Sequence, residues 1–426
     1  MKKKILLIAY YWPPSGGPGV QRWLKMSYYL AEVGHDITVL TVDPGHANYP
    51  NLDEGLVQDV HPKIRVVRSR AFNPYRILSW WKKDGTDVAS NFSIPKKAKW
   101  KFKLLAIIRT HLFIPDPRRG WNRYALAAGR KLMRENTFDT VISTSPPHST
   151  QLIGWKLKKE FGVKWIVDFR DPWSGIIFYH ELGHSFASRA LDRYYERKVV
   201  DAADTLVVVG EKMGEDLTED FGLKPGKVQV VHNGFDNRDF KSLNPEHQRD
   251  QNFRVVYTGT LSSLYNFQPM FRAIAECSKT TSISCEICGK IHSDIQEELL
   301  EIWPDFQFMG EVKHGEVNEK QQRADLLVMA IADVPNAEHV VSGKLFEYLK
   351  SGNPILCMGP KYGDAAKIIE TCGAGQTFGR SEEREMCEFI RTMAALKERG
   401  TLIQPKQNEI AQFSREALAQ KIAELL

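Results

Sequence analysis

Between Val340 and Leu356 the chain reads Val-Val-Ser-Gly-Lys-Leu-Phe-Glu-Tyr-Leu-Lys-Ser-Gly-Asn-Pro-Ile-Leu, and these residue types imply anion and sugar chemistry. Ser342 stands where a helix cap is wanted, and Leu345, Phe346 and Leu349 give the helix an apolar face. Its N-terminus, with Ser342 and Gly343, would present backbone N–H groups and the Lys344 ammonium to a diphosphate. Glu347 lies three residues beyond Lys344, so both can face one ligand. A carboxylate accepting from two adjacent hydroxyls is a natural ribose clamp. A plain Lys–Glu surface pair, worth ~0.3–0.5 kcal/mol, does not explain why glycines bracket the helix and an apolar strand follows it.

Three further stretches carry reactive residue types. Tyr10 to Arg22 is a loop dense in proline and glycine, placed directly after an apolar run and before a helix beginning near Val20. Gly16, Gly17 and Gly19 let backbone approach a ligand, the helix start offers N–H groups, and Arg22 can add a bidentate contact. The spacing matches neither of the two common glycine fingerprints for nucleotides, and a tight turn without ligand is the competing reading. Ser143 to Thr150 is a second small-residue loop, in which His148 is either a general acid or base or a neighbour of a helix start. Asp168-Phe169-Arg170-Asp171-Pro172-Trp173-Ser174 ends the apolar run Trp165-Ile166-Val167. Asp168, Arg170 and Asp171 there, with His148 the candidate catalytic residues, read as a ligand site or as a solvated salt-bridge cluster.

These loops need a scaffold of alternating strands and helices, and short apolar runs do alternate with helical stretches along the chain, which argues for α/β architecture with parallel sheets. In the first half the strand candidates are Ile5 to Ala9, Ile37 to Val42, Ile64 to Arg68, Thr140 to Ser143, Trp165 to Asp168, Thr205 to Val209 and Val228 to Val231. Several are bare apolar runs, as expected where helices cover both sheet faces. Asp236 to Gln251 is polar and reads as a linker. A second series follows: Arg254 to Tyr257, Ile283 to Cys288, Phe306 to Phe308, Leu326 to Ala330 and Ile355 to Cys357, with helices near Phe267 to Cys277, Lys344 to Lys350, Ala365 to Thr371 and Ser414 to Leu426. Open α/β sheets place ligands outside the carboxyl ends of their strands, where all the loops above lie.

At 426 residues two domains are expected. No apolar run approaches the ~20 residues of a membrane span, and the lysine-rich start, reaching Trp12-Pro13-Pro14 after a short apolar stretch, reads as a first buried strand. The six cysteines all lie in the second half, and Cys285-x-x-Cys288 falls in a strand candidate without a second ligand pair, so a buried role is expected and no metal site. Charge is uneven: 37 Lys and Arg against 26 Asp and Glu over residues 1–240, and 21 against 26 over 241–426. Residues 61–134 alone carry 19 basic and 3 acidic residues. Within them Lys97 and Lys101 interleave with Trp100 and Phe102, downstream of Trp80 and Trp81. Such mixtures rest on anionic membrane surfaces; nucleic acid attracts the same charge, and a solvated face is the third reading.

The residues resemble glycosyltransferase family 4, the retaining nucleotide-sugar transferases of GT-B fold. Pro13-Pro14-Ser15-Gly16-Gly17-Pro18-Gly19-Val20-Gln21-Arg22 resembles the family's glycine-rich first loop. Val231-His232-Asn233-Gly234-Phe235-Asp236 is similar to the motif closing the first lobe, and Tyr257-Thr258-Gly259-Thr260-Leu261 to the one opening the second. Ser342 to Pro354 is similar to the donor-binding motif S-K-x-x-E-Y-x-x-x-G-x-P. The resemblance implies that Glu347 holds the donor ribose and that Gly16, Gly17 and Lys344 surround its diphosphate. Gly259 and Thr260, Gly289 and Lys290, and Gly310, Glu311 and Val312 would frame the nucleotide, and the terminal helix would return to the first lobe. The sequence departs from the family at three places. His339, with Glu338 beside it, stands where many members have a second glutamate for the sugar. The basic residue and lysine usual after the second lobe's opening are absent from Leu261 to Asn266, which shifts phosphate neutralisation to Lys344, Lys290 or Arg22. Arg170 replaces the histidine often found after the fifth strand.

The sequence thus predicts an α/β protein of GT-B architecture, two doubly wound, Rossmann-like parallel-sheet domains facing a cleft. Residues 1–240 would be the acceptor-side domain, joined by a helix at 410–426, and residues 241–409 the nucleotide-sugar domain. The expected activity is sugar transfer with retention from a nucleotide-sugar donor to a glycan or lipid-linked acceptor. No cofactor or metal and no nucleic-acid partner are expected, and the location would be cytoplasmic, at the inner face of the cell membrane. The rival readings are a non-catalytic sugar-nucleotide or glycan-binding protein and a nucleotide-dependent oxidoreductase, the latter disfavoured by the glycine pattern.

Overall fold

The computed structural model describes residues 2–72, 113–175, 185–240, 252–312 and 314–426. The chain forms two compact units, Met1–His232 with Leu418–Leu426, and Asn233–Ala417. The sequence places these boundaries at 240 and 409.

The first unit is built on seven parallel strands in the order β3-β2-β1-β4-β5-β6-β7. They are β1 (Lys4–Ile8), β2 (Asp36–Val42), β3 (Arg65–Ser69), β4 (Thr140–Ser145), β5 (Lys164–Phe169), β6 (Thr205–Val208) and β7 (Val228–Val230). The bare apolar runs have a simple cause. Side chains alternate across a strand, and here both faces are covered. Leu6, Ile8, Val141 and Val167 point to one core, shared with the helices Asn122–Glu135, Ser149–Phe161 and Phe186–Ala202. Ile5, Leu7, Ile142 and Ile166 point to the other, closed by the helix Pro18–Glu32 and by Leu418, Ala419 and Ile422 of the terminal helix Arg415–Glu424. Each such Leu or Ile stabilises by about 1.5–3 kcal/mol, so the returning segment is part of this unit's core.

The second unit has six parallel strands in the order β10-β9-β8-β11-β12-β13. They are β8 (Phe253–Thr258), β9 (Ile283–Cys288), β10 (Gln307–Gly310), β11 (Leu326–Ala330), β12 (Ile355–Met358) and β13 (Gly375–Phe378). Val255, Tyr257 and Val328 face one core and Val256, Leu327 and Met329 the other. The sequence reading misses β13, whose Gly-Gln-Thr-Phe offers little apolar signal. Among the described residues it pairs with β12 alone, and a side chain at Gly375 would lie 1.9 Å from the Ile355 carbonyl oxygen.

The expected linker from Asp236 to Gln251 is corrected at its start. Phe235 is 4% exposed in the second unit's core, and its N–H donates to the Phe413 carbonyl. Asp236 is bound by Arg238. Asp236 is itself 3% exposed and Phe240 packs against the same core, so the first residues of the expected linker belong to the second unit. Residues 241–251 lie outside the described residues.

In both sheets the order reverses once, between β1 and β4 and between β8 and β11. Strand-end loops diverge at such a point and leave room for a ligand.

Candidate functional site

In the second unit the loop after β11 leads into the helix Gly343–Ser351, so this helix starts at the reversal point. Leu345, Phe346, Tyr348 and Leu349 are buried beneath it, and Gly352, at φ 82°, ends it. Ser342 occupies the cap position with extended backbone, but its hydroxyl makes no capping hydrogen bond. The expectation of a serine cap therefore fails, and among the described residues the helix end has no side-chain cap. Gly343 is exposed, with open space where a side chain would be.

Lys344 is half-buried. Its Nζ donates to the Tyr257 hydroxyl at 3.2 Å and lies 4.4 Å from the centre of that ring. Gly259, at φ +111°, makes this possible, because a Cβ there would sit 2.9 Å from Nζ. Burial pushes the ammonium down to about 8, with the Glu347 carboxylate acting in the opposite sense. The lysine is thus a desolvated cation held at a helix N-terminus, where an anion gains most.

Gly259 is the first of three glycine turns joined at the strand ends. The Gly259 N–H donates to Cys288 O at 2.8 Å, Gly289 N–H to Gly310 O at 2.8 Å, and Leu261 N–H to Lys290 O at 3.2 Å. Gly289, at φ +139°, admits no side chain, since a Cβ would meet Gly259 O at 2.3 Å. The ends of β8, β9 and β10 are therefore laced edge to edge, bringing Gly259, Thr260, Lys290 and Gly310 together, with Val312 just beyond. Thr260 and Lys290 are exposed. Glu347 is half-buried, and its Oε2 accepts from Gln321 Nε2 at 3.3 Å. Gln321, on the helix His314–Gln322, is a contact that sequence reasoning missed, because nothing in its neighbourhood marks it as polar and buried. Glu338 and His339 lie in the turn Ala337–His339 before the helix, with the Glu338 backbone against Gly363.

In the first unit the structure corrects two residues. Arg22 and Asp168, expected to meet a ligand, are 1% and 0% exposed and pair with each other. Arg22 Nε and Nη2 reach Asp168 Oδ1 at 3.1 and 2.9 Å, and the guanidinium also donates to the carbonyls of Val231 and His232. Asp168 Oδ2 accepts from Trp23 Nε1 and Thr144 Oγ1, both at 2.7 Å. Such saturation is what a buried charge pair requires. The pair ties the first helix, β4, β5 and the end of β7 together beneath the loops. β5 runs on to Phe169, one residue beyond the strand expected from the sequence, so Asp168 lies within the strand and its side chain is buried.

The other first-unit residues do lie at strand ends. Gly17, at φ 91°, precedes the helix Pro18–Glu32, and the Gly16 N–H donates to Asn51 O at 3.0 Å. A side chain at Gly19 would meet Arg170 Nη1 at 2.7 Å, so the Arg170 guanidinium lies over the start of that helix. Arg170 is 20% exposed and pairs with the more open Asp171 at 3.4 Å. Nearby, Trp12 Nε1 and Ser15 Oγ are buried without a hydrogen-bond partner among the described residues. His148 is 8% exposed, with Nε2 3.2 Å from Pro172 O. Burial, and then the Arg170 charge, push its pKa down to about 3. It is therefore neutral at pH 7 and carries no proton to donate as an imidazolium acid. The loop that carries Arg170 and Asp171 is fixed by two buried acids the sequence reading passed over. Trp173 Nε1 donates to Asp192 at 2.7 Å, and Ser174 Oγ to Glu196 at 2.5 Å.

Among the described residues no group of three or more His, Cys, Asp or Glu side chains is placed to hold a metal ion. Cys285 and Cys288 are both buried in β9. Among the described residues no helix is long and apolar enough to cross a membrane. Trp80, Trp81, Lys97, Trp100, Lys101 and Phe102 lie outside the described residues.

Comparison with known proteins adds three findings. The family model described as a glycosyl transferase 4-like domain matches residues 16–234. No curated protein matches the chain. Among solved structures, a glycosyltransferase from Rickettsia africae is similar with a TM-score of 0.65 at 14% identity, covering 100% of this chain and 97% of its own. Sucrose-phosphate synthase from Thermosynechococcus elongatus gives 0.65 at 15% identity, with 100% and 98% covered. Anabaena HepE, in complex with UDP and glucose, gives 0.62 at 16% identity, with 99% of each chain covered.

Proposed function

The chain belongs to the glycosyl transferase 4-like family and has the GT-B fold, and from this premise we propose that its second unit holds the nucleoside diphosphate of a sugar donor. The observation that carries the proposal is the uncapped helix end at Gly343 and Lys344, set beside the glycine turns at Gly259, Gly289 and Gly310. In this reading the first-turn N–H groups and the Lys344 ammonium bind the diphosphate, and Glu347 accepts from the ribose hydroxyls. Gly289, Lys290, Gly310 and Val312 frame the base. The chemistry follows from where charge develops. As the glycosidic bond breaks, the departing diphosphate gains negative charge, and a fixed desolvated cation at a helix end stabilises it more in the transition state than in the bound donor. A nucleotide ligand is supported by the UDP and glucose bound to the related HepE structure.

We assign the acceptor to the first unit, with Gly16, Gly17, Gly19, Arg170 and Asp171 at its strand ends. Neutral His148 acts there as a hydrogen-bonding group. Transfer with retention is the family's chemistry, and the acceptor would be a hydroxyl of a glycan or glycolipid. The basic, aromatic block around Trp80, Trp81 and Lys97 to Phe102 supports an anionic membrane as the place where that acceptor is met.

Thermal-shift screening with UDP, GDP, ADP, TDP and CMP, followed by turnover with sugar donors of the base that binds, tests the reading. Stabilisation by one nucleoside diphosphate and its release from the matching donor are expected. A chain that no nucleotide stabilises and no donor engages would overturn it.

A further inference from the structure

Glu347 is held from behind by a chain of buried hydrogen bonds. Gln321 is 0% exposed, and its Nε2 lies 3.1 Å from Thr258 Oγ1 and 3.3 Å from Glu347 Oε2. Thr258 Oγ1 donates to the Tyr348 hydroxyl at 3.1 Å, and Tyr348 donates to the Val328 carbonyl at 3.3 Å. Tyr348 also accepts the Thr258 N–H at 2.9 Å.

The protons run one way along this chain. A main-chain carbonyl only accepts, so the tyrosine gives its proton to Val328. The threonine, whose one proton goes to the tyrosine, accepts from Gln321. A carboxylate also only accepts. Both protons of the Gln321 amide are therefore committed, one to the end of β8 and one to Glu347. Turning the amide over would set its oxygen against two acceptors. The orientation is maintained although it leaves Gln321 Oε1 buried with no partner among the described residues, which is unfavourable in itself. The supporting helix is fixed as well, since Asn353 Nδ2 donates to the carbonyls of Gln321 and Gln322 at 2.8 and 3.1 Å.

We propose that Gln321 is a positioning residue for the donor's ribose. Its amide fixes the plane of the Glu347 carboxylate relative to Thr258, so that the carboxylate meets a vicinal diol in one orientation. This rests on the reading of Glu347 as the ribose clamp. The glutamine itself does not touch ligand.

The test uses the whole chain and calorimetry with two probes: whichever ribonucleoside diphosphate of UDP, GDP and ADP stabilises it most in the screen above, and its 2′,3′-dideoxy analogue. Gln321→Leu, close in volume and lacking both N–H groups, is expected to weaken the ribonucleotide about tenfold and to leave the dideoxy analogue within about twofold. A purely structural role would weaken both equally, and that result, or no change in either, would overturn the proposal. Should Gln321→Leu fail to fold, Gln321→Glu keeps the shape and sets a carboxylate against Glu347. It should show the same selective loss, and equal loss for both probes would again overturn the role. Glu347→Ala run alongside separates the two failures. If it shows the ribose-selective loss and Gln321→Leu does not, positioning by Gln321 is wrong. If Glu347→Ala shows none, the clamp reading falls and the proposal with it.

Discussion

Burial pushes the Lys344 ammonium down to about 8 from an ordinary value of 10.5, which has consequences of opposite sign for binding and stability. Affinity for a nucleoside diphosphate should fall as pH rises through about 8, because the free protein then loses the charge. In Lys344→Met, weak affinity should persist without this pH dependence, as calorimetry across pH 6.5–9.5 would show. Stability runs the other way. Between the folded and unfolded values the unfolded chain binds more protons, so stability rises with pH across that window. Below it the folded state bears the full penalty of a desolvated charge. Lys344→Met should therefore stabilise the second unit at pH 7, by roughly 1–3 kcal/mol, with the gain fading as pH rises from about 8 and gone above 10.5. The buried pair of Arg22 and Asp168 behaves differently. Asp168→Ala leaves a guanidinium at 1% exposure without its counter-charge and should lower stability by about 3–5 kcal/mol, measured by urea unfolding.

At the scale of elements, the site depends on backbone turns that only glycine can make. Gly289→Ala would put a Cβ 2.3 Å from the Gly259 carbonyl oxygen. The β8 and β9 turns must then part, and the Lys344 pocket built on Gly259 opens with them. The expected result is loss of nucleotide binding with a lowered melting temperature, whereas Gly315→Ala, with open space around it, should change neither. The strands that carry these turns were largely legible in the sequence. A parallel sheet covered on both sides demands runs such as Leu326 to Ala330, and such runs mark themselves. The edge strand β13 was not legible, since Gly375-Gln376-Thr377-Phe378 lacks that pattern and is held by backbone pairing to Ile355–Met358.

Over the whole molecule, what was legible divides by cause. The order of motifs along the chain follows from strand-to-helix loops recurring at carboxyl ends, and Ser342 to Pro354 can be read directly. Whether a charged residue faces ligand or interior depends on register and on partners far away in sequence. Arg22 meets Asp168 across 146 residues, and Gln321 meets Thr258 across 63. No local pattern encodes either contact, so Arg22 and Asp168 were expected at a ligand and Gln321 was not expected at all.

The most direct test is calorimetric titration of the full chain, and of Glu347→Ala, with UDP, GDP, ADP, TDP and CMP. One nucleoside diphosphate should bind the natural chain with a micromolar or lower Kd, and the substitution should weaken it by at least about tenfold, the effect of losing a charged hydrogen-bond acceptor. Equal affinity in both proteins, or no binding by any of the five, would contradict a donor site at the helix Gly343–Ser351.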